Sequence, residues 1–407
     1  MGTFLEYFDL MLYVHMAVLL NELFFPKFDP AMSALVAAGT FCTTYVLRPF
    51  GALFFGWVGD TIGRKNTIVI TTVLMALSSL LMANLPTYAQ IGIAASWGMM
   101  TCRILQGLSS MGEVIGALVY LVELIKPPAR YCVVPIIPLL ATLGGFAALG
   151  VASLINIFDI NWRMIFWFGC IVAVVGIVAR TTLRESAEFA DARKRIANIN
   201  KKNKSKSEFK TFHKQDKQSS LALFCLECMW PLCFYFSFIY CAEILRSEYH
   251  LSATEIIYQN LFVALADIVG SVIRVILPRF MRPLLILKYT LCINFFTFLV
   301  CPILLIQASS PFAIGVIQVL IIFFAADVKF AVSAIYPHFS ILSRFRSTAF
   351  LYALSRAITY IFTSFGLIYL TNIFAEWGVA VALFIGLSMS AYGVTYFLKL
   401  QAETGDI

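Results

Sequence analysis

The chain has 407 residues, of which 60% are hydrophobic and 13% charged, with a formal net charge of +8. A soluble domain carries roughly 25% charged residues, so this composition excludes a water-clothed globule and suits helices that face lipid, where each segment satisfies its own backbone. The positive balance does not point to nucleic acid, because most of it sits in one mid-chain run (Arg193, Lys194, Arg195, Lys201, Lys202, Lys204, Lys206, Lys210, Lys214, Lys217) with no stacking pattern of aromatic residues; such a run reads as a solvated cytoplasmic loop.

A bilayer-crossing helix needs roughly 20 mainly apolar residues. Six such segments are predicted near 3–24, 31–57, 67–84, 91–121, 131–156 and 163–181, and six more near 221–245, 254–277, 284–306, 312–335, 347–372 and 376–398. The predicted fold class is an all-α membrane protein of twelve transmembrane helices in two six-helix bundles, residues 1–182 and 221–407, joined by a basic cytoplasmic linker over 183–220. The first segment contains Glu6 and Asp9 and lacks a small-residue cleavage site, so it is a retained helix rather than a signal peptide. It opens at residue 3 with almost no leader, which raises the expectation of residues ahead of Met1 in the native chain. Arg64–Lys65, Lys126, Arg130, the basic run, Arg279–Arg282–Lys288 and Arg344–Arg346 fall on one side, against Lys27, Arg163 and Arg246 on the other. The positive-inside rule then places both termini in the cytoplasm.

On the first helix, Glu6, Asp9 and Tyr13 are three, four and seven residues apart and share a face. His15 follows, either lining a cavity or hydrogen-bonded in the ordinary way. The second segment carries Arg48. Between segments two and three stands Gly56-Trp-Val-Gly59-Asp60-Thr-Ile-Gly63-Arg64-Lys65-Asn66. Its glycines permit close approach and a tight turn, and Asp60 precedes Arg64 by four residues, where a charge-assisted clasp can hold one conformer and release another. On the fourth helix Arg103, Gln106 and Glu113 fall within one arc. A charge at a helix centre costs roughly 2.5–3.5 kcal/mol on the insertion scale, so Glu6, Asp9, Arg48, Arg103 and Glu113 together would cost about 10–15 kcal/mol unless they face a wet interior. Glu113 and Asp9 are the two candidates for carrying a proton, with a structural ion pair as the alternative.

The second half holds further interior charges: Glu227, Glu243, Asp267, Arg274, Asp327, Lys329 and Arg356. Asp267 and Arg274 are seven apart, share a face and can pair, or Arg274 can snorkel to a helix end. Asp327 and Lys329 are two apart, so each is expected to find a partner elsewhere. Lys329 and Arg356 are expected to face a cavity, and these extra cations point to an anionic substrate. Where a second copy of the gate loop would stand, the chain reads Gly270-Ser-Val-Ile-Arg274-Val-Ile-Leu-Pro278-Arg279-Phe-Met-Arg282-Pro283, without the acid and second glycine.

The Gly56–Asn66 element resembles the signature loop of the major facilitator superfamily. Gly2-Thr-Phe-Leu-Glu6-Tyr7-Phe8-Asp9-Leu-Met-Leu-Tyr13 resembles the first helix of its metabolite:proton symporter family, which includes proline/betaine, citrate, α-ketoglutarate and shikimate carriers. Arg103-Ile-Leu-Gln106-Gly107-Leu-Ser-Ser-Met-Gly112-Glu113 resembles that family's fourth helix, and Arg48-Pro49-Phe-Gly51, Asn161-Trp162-Arg163 and Leu183-Arg184-Glu185-Ser186 also match. The resemblance is dense from residue 2 to about 190 and much fainter afterward. It implies a major facilitator fold, a proton-coupling role for Glu113, Asp9, Glu6 and Arg103, and gating by Gly56, Asp60, Gly63, Arg64 and Lys65.

The expected function is secondary active, proton-coupled uptake of a small polar metabolite by alternating access in the bacterial inner membrane. An organic acid is favoured, extending to a citrate-like polycarboxylate or its iron chelate. Tyr13, His15, Arg48, Gln106, Asp327, Lys329 and Arg356 are the candidate substrate-binding residues. The alternatives are a zwitterionic osmolyte symporter, a facilitator or antiporter, and a transporter-like sensor. No G-x-x-x-x-G-K-[ST] loop supports an ATP-driven pump. Neither the four histidines, at 15, 213, 250 and 338, nor Cys225-x-x-Cys228 have the spacing of a metal or enzymatic centre. The expected partners are the solute, protons and the bilayer, with no cofactor, no metal, no nucleic acid and a monomeric chain.

Overall fold

In the computed structural model, which describes residues 2–16, 20, 23–26, 45–158, 161–181, 208–341 and 343–404, every element among the described residues is helical. The principal helices are α1 (Gly2–His15), α2 (Arg48–Thr61), α3 (Arg64–Asn84), α4 (Ile93–Leu124), α5 (Ile136–Phe158) and α6 (Arg163–Thr181). They continue with α7 (Glu208–Glu227), α8 (Ala253–Ile276), α9 (Pro283–Gln307), α10 (Pro311–Phe323), α11 (Arg344–Ile361) and α12 (Trp377–Thr404). Among the described residues, nine stretches are long and apolar enough to cross a membrane. The remaining three of the twelve expected spans are those of α1, α2 and α6, and residues 31–44 of the second expected span lie outside the described residues.

The helices pack as two sets. Within the first, α1 lies on α5, α3 on both α4 and α6, and α2 on α4; within the second, α7 and α9 both lie on α12, and α8 on α10. Two seams join the sets, α2 against α11 and α5 against α8. Outward faces stay apolar: Phe54, Trp97, Phe262 and Phe312 are all exposed. That is the side chain distribution of a surface bathed in hydrocarbon, since a contiguous apolar belt of this size is absent from water-facing proteins. The polar groups are turned inward, where an orphaned charge in lipid would be costly.

Three features depart from the expected elements. The helix of the seventh span begins at Glu208, so the last part of the segment expected as linker is helical. Beyond Glu227 that span continues through Met229–Tyr235, a π-turn at Phe236–Tyr240 and Cys241–Ser247; Glu243 lies exposed on its last stretch and is not an interior charge. The largest departure is in the tenth span. The α10 helix stops at Phe323, and the buried chain then runs through extended backbone at Asp327, a 3-10 turn at Val328–Phe330 and a single helical turn at Val332–Ile335. No proline or glycine lies between residues 316 and 336 to announce the break. Side chains make it: the Asp327 carboxylate accepts the Lys329 backbone N–H at 3.0 Å, while Arg274 donates to the carbonyls of Phe323 and Ala325 at 3.0 and 3.1 Å. Side-chain bonds that compete with the i to i−4 ladder break a helix, and Arg274 supplies the partners that irregular backbone requires at this depth.

Candidate functional site

The two sets of helices meet around a hollow built from side chains that a lipid-facing helix could not carry. Glu6 and Tyr7 of α1 enter it from one set, with Arg48 at the start of α2; Trp230, Tyr352 and Arg356 enter it from the other. The Tyr7 and Tyr352 hydroxyls share a hydrogen bond of 2.9 Å across the halves. Beside them Tyr45 packs on Tyr360 at a centroid separation of 4.3 Å and takes the Arg48 guanidinium on its ring face at 4.2 Å. Arg356 donates to the Glu227 carboxylate at 2.7 Å and lies 3.5 Å over the Tyr352 ring. An adjoining hollow shares Tyr7, Met11 and Trp230 with the first and is lined further by Lys329 and Asp267.

Of the first-half candidates, the structure brings Glu6 and Arg48 to the hollow. Asp9, one turn along α1, accepts a hydrogen bond from Ser79 of α3 at 2.9 Å and faces Gly169 of α6, so the two acids of α1 serve different neighbours. Arg103 lies 3.8 Å over the Tyr13 ring and donates to Gln106 at 2.8 Å. This second cluster is buried within the first half, and Arg103 lies within electrostatic reach of Arg48, which lines the hollow. The side chains of His15, Arg64 and Glu113 lie outside the described residues.

In the second half, Asp267 and Arg274 pair at 3.0 Å, as their seven-residue spacing predicts. The expectation that Asp327 and Lys329 need partners elsewhere is corrected: they pair with each other at 3.2 Å. The i, i+2 argument holds for a helix, and this stretch is not one. Lys329 also sits 4.4 Å from the centroid of Trp230 and 5.6 Å from that of Tyr7. Each interior cation of this half therefore has an acid beside it. Two buried donors of the hollow's lining nonetheless have no hydrogen-bond partner among the described residues: Nη2 of Arg356 and Nε of Arg48. Buried donors are normally satisfied, so these are positions where a polar solute or water can bind.

One end of the bundle is shut. The α2 helix packs along α11 because Gly56 has no side chain: a Cβ there would lie 2.7 Å from the Cα of Arg346. Gly63, at φ 127, lets the chain turn from α2 into α3. Asp60, at the end of α2, accepts the backbone N–H of Arg346 in the first turn of α11 at 3.1 Å, which places a carboxylate on a helix N-terminus. A second cross-half contact joins Arg344 to Glu123, at 3.4 Å. Lys65 is half-buried nearby at the start of α3. Asp60→Ala removes a cap, at a cost of about 1 kcal/mol, and should lower the closed population about fivefold. The distance between spin labels at Ile62→Cys and Ser340→Cys, both exposed on the same end, reads this out; an unchanged distribution would show that the contact carries no weight.

Sequence reasoning missed Tyr7, Tyr352, Tyr360 and Trp230, aromatics that look like ordinary apolar residues until their hydroxyls and ring faces are seen to meet charges. It also missed Glu123 as the partner of Arg344. The only available signal was an acid at the end of an apolar helix.

Comparison with known proteins places these features in a context. The family profile described as the Major Facilitator Superfamily matches residues 1–347. Over 196 residues the chain is 32% identical to a proline/betaine transporter of Salmonella typhimurium, a match covering 46% of this chain and 39% of that protein. Over 206 residues it is 34% identical to an inner membrane metabolite transport protein of Escherichia coli, covering 48% of this chain and 47% of the relative. The chain thus spans less than half the length of these curated relatives. Among solved structures, a proton:xylose symporter bound to 6-bromo-6-deoxy-D-glucose superposes with a TM-score of 0.76 at 14% identity, over 98% of this chain and 93% of that one. A human organic anion transporter gives 0.65 at 16% identity, over 98% and 97%. At these identities the likeness is one of fold.

Proposed function

This chain belongs to the major facilitator superfamily, and on that footing we propose that it is a secondary active transporter that takes up a small organic acid together with protons. It works by alternating access in the bacterial inner membrane, with both termini in the cytoplasm and the Asp60 end facing inward. Solute binds in the hollow between the halves, which lies within one chain and so needs no second copy. Arg48, Arg356 and Lys329 meet its charged groups, and Tyr13 and Gln106 complete the first-half wall. Glu6, Asp9 and Glu113 supply first-half acids for the proton, with Arg103 beside them, and Gly56, Asp60, Gly63, Arg64 and Lys65 form the inner gate.

The observation that carries this reading is the charge balance. Among the described residues, the buried ionisable side chains are Glu6, Asp9, Glu123, Glu227, Asp267 and Asp327 against Arg48, Arg103, Arg274, Lys329, Arg344 and Arg356, six acids and six bases. A carboxylate entering alone among these balanced, buried groups would bring an uncompensated charge, which is expensive there; a proton entering with it cancels that charge. The same balance admits a zwitterion, which needs no proton for neutrality, and the similarity to a proline/betaine transporter favours that as the second reading.

Uptake by proteoliposomes under an imposed pH gradient, with succinate, citrate, proline and glycine betaine as a panel, separates the two. The expected result is concentrative uptake of an acid, accelerated by an inwardly directed proton gradient. Exclusive transport of proline or glycine betaine would move the reading to the zwitterion, and indifference to the gradient would remove proton coupling.

A further inference from the structure

Of the four buried cations of the second half among the described residues, Arg344 pairs across the halves with Glu123, and the other three are held unequally. Arg356 donates to the Glu227 carboxylate and to Ser355. Arg274 donates to Asp267, to Ser271 and to two backbone carbonyls that the broken tenth span leaves open. The Lys329 ammonium has one ion pair, with Oδ2 of Asp327 at 3.2 Å, and otherwise the faces of Trp230 and Tyr7. Lys329 is therefore the cation that can change partners at least cost.

Its position allows the change. Lys329 and Asp267 line the hollow between the halves. Their partners, Asp327 and Arg274, line a different hollow, beside Pro278 and Pro283 in the α8–α9 turn. Both ion pairs thus straddle one partition between two cavities, and the partition is the unwound segment itself. Asp327 is fixed within it, because its Oδ1 accepts the Lys329 backbone N–H; its Oδ2 makes the contact with the ammonium. Losing that contact requires no movement of the chain.

We propose that Asp327 is the proton acceptor coupled to solute binding, and that its protonation hands Lys329 to a carboxylate of the solute. In this step an O–H bond forms at Oδ2 of Asp327, the ion pair to Lys329 ends, and the lysine, keeping its own protons, pairs with the solute carboxylate in the central hollow. One proton and one carboxylate charge enter together, so the charge of the interior is unchanged. The proton's route out is the second hollow, toward the α8–α9 turn, separate from the path of the solute. Glu227, Asp267 and Tyr336 lie within electrostatic reach of Asp327, and Arg274 lines the second hollow with it. Asp267 is committed to Arg274 and Glu227 to Arg356, which leaves Asp327 as the acid of this group whose partner can leave. The inference rests on the proposed proton-coupled binding of a carboxylate, and it names the second-half acid that performs it.

Binding of radiolabelled succinate and glycine betaine to the purified full chain across pH 6.5–8.5 tests it, since both probes present a carboxylate. For a bound probe, the wild-type dissociation constant should rise about tenfold per pH unit where the coupled proton is lost. The expected result is that Asp327→Asn, a fixed mimic of the protonated state, changes less than twofold over the same range, while Glu243→Gln, at an exposed acid outside both hollows, keeps the slope. A double Asp327→Asn, Lys329→Met variant removes the pair without stranding a charge, so it should stay monodisperse and yet lose the probe at every pH. Persistence of the tenfold slope in Asp327→Asn overturns the assignment while leaving carboxylate transport standing. Failure of the wild type to bind either probe overturns the carboxylate reading and this inference with it.

Discussion

Replacing Arg356 with methionine should destabilise the protein by about 3–5 kcal/mol, the usual cost of stranding one member of a buried ion pair. Both partners are almost wholly enclosed, with side-chain exposures of 2% for Arg356 and 1% for Glu227, and they touch at 2.7 Å. Without the guanidinium, the Glu227 carboxylate would face Asp327 with one cation fewer to balance them. The Tyr352 ring would also lose the cation stacked on it, and with it part of the support for the Tyr7–Tyr352 bond that joins the halves. In detergent, the expected readout is a sharply shortened half-life at a fixed elevated temperature, because large membrane proteins unfold irreversibly. The double variant Arg356→Met, Glu227→Leu should recover most of that half-life, since an apolar pair of similar volume often replaces a buried ion pair without loss. Recovery of stability need not bring recovery of transport: Nη2 of Arg356 is one of the buried donors without a partner, and the solute would lose it. A single variant as durable as the wild type would show that the pair does not hold this region together.

Gly56→Leu should act on conformation rather than on folding. The Cβ alone would sit 2.7 Å from the Cα of Arg346, a backbone atom that cannot swing aside. Overpacking at a tight contact costs about 1–3 kcal/mol. Here it would fall only on the conformer in which α2 and α11 lie together, so the closed population should drop by about five- to a hundredfold. Uptake, which needs the closed end once in each cycle, should fall accordingly, while thermal stability stays close to that of the wild type because the open conformer has no clash. Gly56→Ala should lie between the two. Normal uptake by Gly56→Leu would mean that the seam between α2 and α11 does not close as tightly during the cycle.

Much of the fold was legible because a membrane-spanning chain must place long apolar runs between polar turns, and twelve runs could be read. The pairing of Asp267 with Arg274 was legible because seven residues make two turns of an unbroken α8. The Gly56–Asn66 element was legible as a motif, but its partner was not: nothing local in it says that Asp60 will meet the N-terminus of α11, 286 residues away. The break after Phe323 was opaque for a different reason. Hydropathy and the lack of proline or glycine both favour continuous helix across 312–335, and the competing bonds come from Arg274 on another helix and from Asp327 itself. Misreading that stretch as helix separated Asp327 from Lys329 and made Lys329 look like surplus positive charge. Glu6 and Asp9 show the limit of a helical wheel: about 60° apart on α1, they still meet different neighbours, because the hollow lies on one side of that helix and α3 on the other.

The account depends on the two ends of the protein opening in turn, each sealed while the other is open, with proton and solute biasing the choice. Spin labels at Ile62→Cys, just past the end of α2, and Ser340→Cys on the α10–α11 connection, both exposed at the Asp60 end, measure that end directly when placed in a cysteine-free background. The predicted distance distribution in liposomes has a short component, matching the closed seam, and a longer one, with proportions that shift with pH and with a transported solute. A single unchanging distance under all of these conditions would contradict alternating access by this chain.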